Sequence, residues 1–221
     1  MEHGTAARAG VAWHDVDVSP SDEVTVHGIR CTSVDRTVLD VTCALPPDAA
    51  IAAADAALRR EAVLMQEQDA AAAADWTERL SRRAERLHGR GIRRARRIIL
   101  FADGRAQLPG ESVSRLMLAR LGYARPDLQV HVVGPDGEDY WLDFGFRRSR
   151  AFGEFDGIGK YVDDGLRGSR TSQEILLAEK RREDAIRGVT GWGVVRWGTA
   201  HLASLDRFGA RLRAFGILPP G

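Results

Sequence analysis

Three runs of alternating apolar and polar residues stand close together in the second half of the chain: LQVHVVG, EDYWLDFGF and RAFGEFD. PDGE joins the first pair and FRRSRA the second. Neither connection is long enough for a crossover, so neighbouring runs pair antiparallel. The helical stretch TSQEILLAEKRREDAIRG follows, capped by Thr171 and long enough to cross a sheet face. It returns the chain to a fourth strand, GWGVVRW. Hairpins followed by one helical crossover predict a mixed sheet of four strands flanked by helices, an α/β (α+β) architecture. IRRARRIILFADG and ESVSRLMLARLG supply helices ahead of the sheet. Pro109-Gly110 starts the second of these and Gly122 ends it. A last helix, capped by Thr199, runs through Phe215.

The first half reads as mostly helical. VAWHDVDV and DEVTVHGIRC are short strands turned at Pro20. TSVDRTVLDVTCAL is a helix capped by Thr32 or Ser33, with Arg36 and Asp40 paired one turn apart. Pro46-Pro47 ends it and opens an alanine-rich helix through AAIAAADAALRR. A further helix covers about 62–87. Gly89 and Gly91 then break the chain. This gives a helical module over 1–90 with a short β segment, and a sheet domain over 91–221.

Composition excludes more than it selects. The 221 residues carry 32 Lys and Arg against 31 Asp and Glu, a formal charge of +1. No global field draws the chain to nucleic acid, so an anion-binding surface must be local. Cys31 and Cys43 lack zinc or disulfide spacing and suit a reducing cytoplasm. MEHGTAARAG has no signal-peptide core, and no run is long enough for a bilayer. A cytoplasmic protein without membrane partners is expected. GxG in DGIGKY does not open a helix after a strand, so no dinucleotide or other small-molecule cofactor is expected.

Alternation puts Trp141, Asp143 and Gly145 on one face of their strand and Leu142, Phe144 and Phe146 on the other. Phe152, Glu154 and Asp156 share a face of the next. A two- or four-residue turn in FRRSRA sets Asp143 opposite Glu154, with Cβ atoms about 4.5–5.5 Å apart. Three carboxylates then crowd one patch. A solvated face tolerates that; a partly buried one, flanked by Trp141 and Phe152, needs a cation. Mg²⁺ or Mn²⁺, bound through one or two carboxylates, would remove the conflict.

Eight arginines fall between Arg82 and Arg97 against one acid, Glu85. Arg93, Arg94, Arg96 and Arg97 alternate with Ile92, Ala95 and Ile99, so an apolar face packs while guanidinium groups project. Such a cluster neutralises phosphates without reading sequence. The alternative is a solvated helix face. In EKRREDAIR, Lys180 with Asp184 and Glu183 with Arg187 are spaced as surface pairs. Arg196, on the fourth strand, is placed either to reach phosphate or to edge the core. His131 and His201 lack metal-ligand spacing and read as structural.

Glu111 on a helix, Asp143 on a strand and Glu154-Phe155-Asp156 on the next resemble the PD-(D/E)xK nuclease superfamily. More narrowly, LPGESVSRLMLARLG, PDLQV, YWLDFGF, EFDGIGKY, EKRRED and GWGVVRW resemble a domain of unknown function related to very-short-patch-repair endonucleases. This resemblance covers about residues 92–202. VHGIRCTSVDRTVLDV and DAAIAAADAALRR resemble actinobacterial proteins grouped with type IV abortive-infection antitoxins. The resemblance implies a restriction-endonuclease-like sheet. It also implies metal ligation by Asp143, Glu154 and the Phe155 carbonyl, with Glu111 as a further ligand or outer acid. Glu179, Lys180 or Arg182 would border the site.

The pattern departs at Asp156, where the superfamily has lysine. An aspartate supplies no positive charge to water or phosphate, and loss of such a group costs about 10²–10³ in rate. Lys160 or Lys180 is the candidate substitute. The expectation is a nuclease-like nucleic-acid-processing protein, in its enzymatic form a metal-dependent DNA endonuclease or nickase. The alternatives are a non-catalytic DNA-binding or antitoxin-like regulator, and a scaffold acting through protein partners.

Overall fold

Residues 16–157 and 172–220 are described in the computed structural model. They fall into two units, one ending at Thr37 and one from Val38 to Gly221. In the first, a 3₁₀ turn (Pro20–Asp22) leads into a hairpin of β1 (Glu23–Val26) and β2 (Ile29–Thr32). His27 and Gly28 close it with φ of +50° and +78°. DEVTVHGIRC is thus two strands rather than one, because Gly28 allows a two-residue turn. Most of VAWHDVDV lies outside the described residues, and 16–18 are not in a strand. Ser33 Oγ accepts from the Arg36 amide at the start of α1 (Val34–Ala44).

In the second unit, α2 (Pro47–Ala62), α3 (Ala70–Arg86) and α4 (Ile92–Phe101) pack around Ile51, Leu58, Trp76, Leu80, Ile98 and Ile99. The boundary expected near residue 90 falls in the turn before α4, yet α4 buries its apolar face in the core of the preceding helices. Gly91 is required there: φ is +89°, and a Cβ would sit 2.2 Å from the Cys43 carbonyl oxygen.

The single helix expected over 62–87 is interrupted. β3 (Val63–Leu64) and β4 (Glu67–Gln68) form a miniature hairpin between α2 and α3. Its turn is Met65-Gln66, with φ of +49° and +75°. Asp69 then caps α3, its Oδ1 accepting from the amides of Ala71 and Ala72.

After α5 (Pro109–Arg120) comes one sheet of β5 (Asp127–Val133), β6 (Asp139–Phe146), β7 (Ala151–Phe155) and β8 (Gly193–Trp197), in that order. The first two pairings are antiparallel and β7–β8 is parallel. α6 (Ser172–Thr190) makes the crossover and α7 (Leu205–Ala214) follows β8. Thr171 lies outside the described residues. α7 is capped by Ser204, not Thr199: a 3₁₀ turn (His201–Ala203) intervenes, and Ser204 Oγ accepts from the Arg207 amide. The fold is mixed α+β. One face of the sheet packs Phe144, Phe155, Val195 and Trp197 with Leu118 of α5 and Phe208 of α7. The other packs Phe152 with Ile186 of α6.

The expected alternation breaks part-way along. Leu128 and Val130 lie two residues apart on β5 yet pack in different cores, and so do Leu142 and Phe144 on β6. Gln129, with φ of +50°, rotates the chain between the first pair. Leu142 therefore packs with Phe152 rather than sharing a core with Phe144.

Candidate functional site

β6 and β7 pair Phe144 with Gly153 and Gly145 with Phe152, and the pairing ends there, one step short of Asp143 and Glu154. The ladder itself changes there. The Phe155 N–H donates to Asp143 Oδ2 at 2.8 Å. Asp143 thus spends a carboxylate oxygen on a backbone donor. On the sheet face beneath, Gly110 opens α5 directly against the Phe155 ring; a Cβ at Gly110 would lie 2.1 Å from it. Glu111, 3% exposed, turns its Oε2 to the Gln107 amide at 2.8 Å and to Gln129 Nε2 at 3.3 Å.

Glu154 finds its cations within the chain. On the parallel pair it stands level with Arg196, and α6 crosses over both. Arg182 Nη2 donates to Glu154 Oε1 at 2.7 Å, and Arg196 Nε donates to Oε2 at 3.0 Å. Arg196 also reaches Glu183 Oε2 at 2.8 Å and Glu179 Oε1. Arg182 additionally donates to Glu179 and to the Trp141 carbonyl. Three carboxylates share two guanidinium groups. Burial works against the charge of both arginines. Hydrogen bonding and attraction to the carboxylates outweigh it, and both pKa values end above the ordinary arginine value.

A divalent metal does not fit this donor set as it stands. Both oxygens of Glu154 already accept from guanidinium groups, and Asp143 Oδ2 accepts an amide proton. Among the described residues, no three His, Cys, Asp or Glu side chains are grouped to hold a metal ion. Asp156 is half-buried beyond the end of β7, its amide donating to the Trp197 carbonyl. Lys160 lies outside the described residues. Lys180 is exposed on α6. The expected pairing along that helix is replaced. Glu183 turns to Arg196, and Arg187 pairs with Asp184.

The arginine cluster divides in two. Arg94 donates to the Thr42 and Cys43 carbonyls at the end of α1, and Arg96 to the Ala84 carbonyl near the end of α3. Each satisfies carbonyls that a helix terminus leaves open. Arg93 and Arg97 are exposed, as are Arg86 and Arg90.

One concavity was not foreseen from the sequence. It opens between the β3–β4 turn and the strands β5 and β6, has a volume of about 580 Å³, and is lined by Gln66, Gln68, Arg105, Gln129, His131 and Trp141 among others. Its available signal was the run VLMQEQ, β-branched at one end and polar at the other.

The chain is 33% identical over 133 residues to two uncharacterized proteins of Mycobacterium tuberculosis, one from strain CDC 1551 / Oshkosh and one from strain H37Rv. The match takes in 60% of this chain and 45% of each relative, so the chain spans less than half the length of the curated relatives it matches. No family model and no solved structure matches it. No helix among the described residues is long and apolar enough to cross a membrane.

Proposed function

We propose that this is a nucleic-acid-binding protein on a restriction-endonuclease-like sheet, with the metal position of that sheet filled by arginine side chains. The observation that carries this reading is the double engagement of Glu154 by Arg182 and Arg196. A nuclease-like carboxylate that already accepts from two guanidinium groups is neutralised without a metal. Asp156, in place of a lysine, points the same way. The order helix, hairpin, crossover, strand supports the nuclease-like scaffold.

Binding of nucleic acid then falls to Arg86, Arg90, Arg93 and Arg97, exposed from the end of α3 through the turn and along α4. Four guanidinium groups meeting phosphates would make binding salt-sensitive and largely indifferent to sequence. Arg94 and Arg96, engaged by helix ends, would serve stability instead.

The test has two arms. Filter binding of duplex and single-stranded DNA across a salt series should give a steep slope. Arg93→Glu and Arg97→Glu should each lower that slope by about one, the value of a single phosphate neutralised. Calorimetry with Mn²⁺, run beside cleavage of supercoiled plasmid, should give neither binding nor nicking. Nicking by the wild type that disappears in Glu154→Gln would restore the metal-dependent endonuclease and overturn the non-catalytic reading. An unchanged salt slope in both arginine variants would remove the nucleic-acid surface.

A further inference from the structure

We propose that a slot between the α5–β5 connection, the β6–β7 turn and the segment after α7 docks an acidic peptide segment of a partner protein. One large apolar side chain of the peptide enters the slot, and its carboxylates meet the rim. The slot shares no residue with the arginine surface proposed above to bind nucleic acid.

The first observation is an apolar floor. The slot has a volume of about 240 Å³, and the buried side chains that line it are Tyr123, Phe146 and Ile217. The Tyr123 hydroxyl already donates to the Ile217 carbonyl at 3.1 Å. The floor side chains therefore offer no spare O–H or N–H. A nucleobase would bury its polar edge against them without partners, which disfavours it. Pockets for whole small ligands run to about 300–1,000 Å³, so this one suits a single large side chain.

The second is an apolar wall left in water. Leu218 lines the slot yet is 60% exposed, and Pro126 and Pro220 line it too. A leucine, phenylalanine or tryptophan side chain set on the floor would take this surface out of water together with its own.

Charge decides what carries that side chain. Arg125, Arg147 and Arg148 line the slot against one acid, Asp127. Arg147 meets Asp127 through Nε. Arg125 has only a share of Asp103, which also pairs with Arg105. The Arg125 and Arg147 side chains are 64% and 79% exposed, and Arg148 is exposed on the same 3₁₀ turn as Arg147. A guanidinium group has five N–H donors, so the rim keeps both positive charge and free donors for carboxylates. An apolar anchor in a pocket, ringed by polar contacts, is how protein partners concentrate binding energy.

The experiment titrates the full chain with a synthetic peptide, one tryptophan between short runs of glutamate, and follows amide NMR shifts. Shifts should centre on Tyr123, Phe146, Arg148 and Leu218. Alanine in place of the peptide tryptophan should weaken binding about thirtyfold, the usual size of an anchor residue. Arg148→Glu should weaken it about fivefold, and by less at high salt. Leu218→Ala should weaken it as well. Both positions are exposed, so the fold tolerates either change. Equal binding of the alanine peptide would reduce the contact to unspecific charge and overturn the proposal. Equal binding of a peptide with lysine in place of glutamate would overturn it too. So would the absence of shifts at about 1 mM peptide, or shifts at these residues with a DNA oligonucleotide and none with the peptide. Slot resonances that move when the protein alone is diluted would assign the slot to a second copy of the chain and overturn the proposal.

Discussion

At Asp55 and Arg115 the side chains are 1% and 3% exposed; at Glu154 and Arg196 they are 15% and 30%. Both sites are arginine–carboxylate clusters, and burial separates them. In the sealed one, Arg115 of α5 donates to Asp55 of α2 at 2.6 Å and to the Phe101 carbonyl at the end of α4. Asp55 also takes the Asp103 amide, and Asp103 is paired with Arg105 and Arg125. This cluster ties the helices to the element that leads into the sheet. In the half-open one, solvent reaches the groups and partners are shared among five side chains. Depth therefore sorts two similar sets of residues into a strut and a surface whose partners can change.

The largest test of that division is Arg115→Ala. It leaves Asp55 sealed with its charge uncompensated, and breaking a buried pair from one side costs about 3–5 kcal/mol. The midpoint of urea unfolding reads this directly. A loss below about 1 kcal/mol would mean that water reaches Asp55 and that the two clusters do not differ in kind.

The sheet behind the half-open cluster was legible because its connections are short and its strand sequences alternate, although the alternation does not hold along the whole of β5 and β6. Turn parity gave the register that joins Phe146 to Ala151, but the pairing ends at Phe144 and Gly153, short of the expected Asp143–Glu154 pair. The partners of Glu154 were not legible from spacing, and only the resemblance set Arg182 among the residues bordering the site. Arg182 and Arg196 lie 28 and 42 residues away, on elements that meet only in the folded sheet. Spacing along α6 instead suggested helical surface pairs. The β3–β4 hairpin was hidden for another reason. Leu64, Met65, Gln66, Glu67 and Gln68 are all good helix formers, and no Gly or Asn marks the turn. Gln129 likewise carries no sign of its positive φ. The strained positions, and the cleft they border, are where local propensity and final structure part.

Acid should also distinguish the clusters, with a smaller effect. Burial raises the Asp103 pKa, but hydrogen bonding from Arg105 and the charges of Arg115 and Arg105 outweigh it and hold it below the ordinary 3.8. A depressed carboxylate contributes stability that is full above its unfolded pKa and is lost as pH falls through the folded one. Asp55 has the opposite sign. Burial outweighs Arg115 and raises its pKa, so its charging opposes folding above that value and the penalty eases on acidification. The two partly cancel in the wild type. The stability gap between wild type and Asp103→Asn should therefore shrink from about pH 6 to about pH 3, as unfolding curves at each pH will read. A gap that widens would place the depressed carboxyl elsewhere.

The smallest expected effect is that of Arg182→Ala in the half-open cluster. The substitution removes one of two cations from Glu154, and Arg196 remains on Oε2 at 3.0 Å. It also frees the Trp141 carbonyl, which water can reach at this depth more readily than at Asp55. Pairs of this exposure are worth about 1 kcal/mol or less once solvent screening is counted. The loss should be about 1 kcal/mol in dilute buffer and should shrink toward 1 M salt, where charges are screened within about 3 Å. Arg115→Ala, measured beside it, should hold its larger loss at both salt concentrations. The pair of salt profiles is the sharper measurement, because a packing defect at either site would not respond to ions. A loss at Arg182 above about 3 kcal/mol, insensitive to salt, would make Glu154 as sealed as Asp55 and leave no surface there whose partners can change.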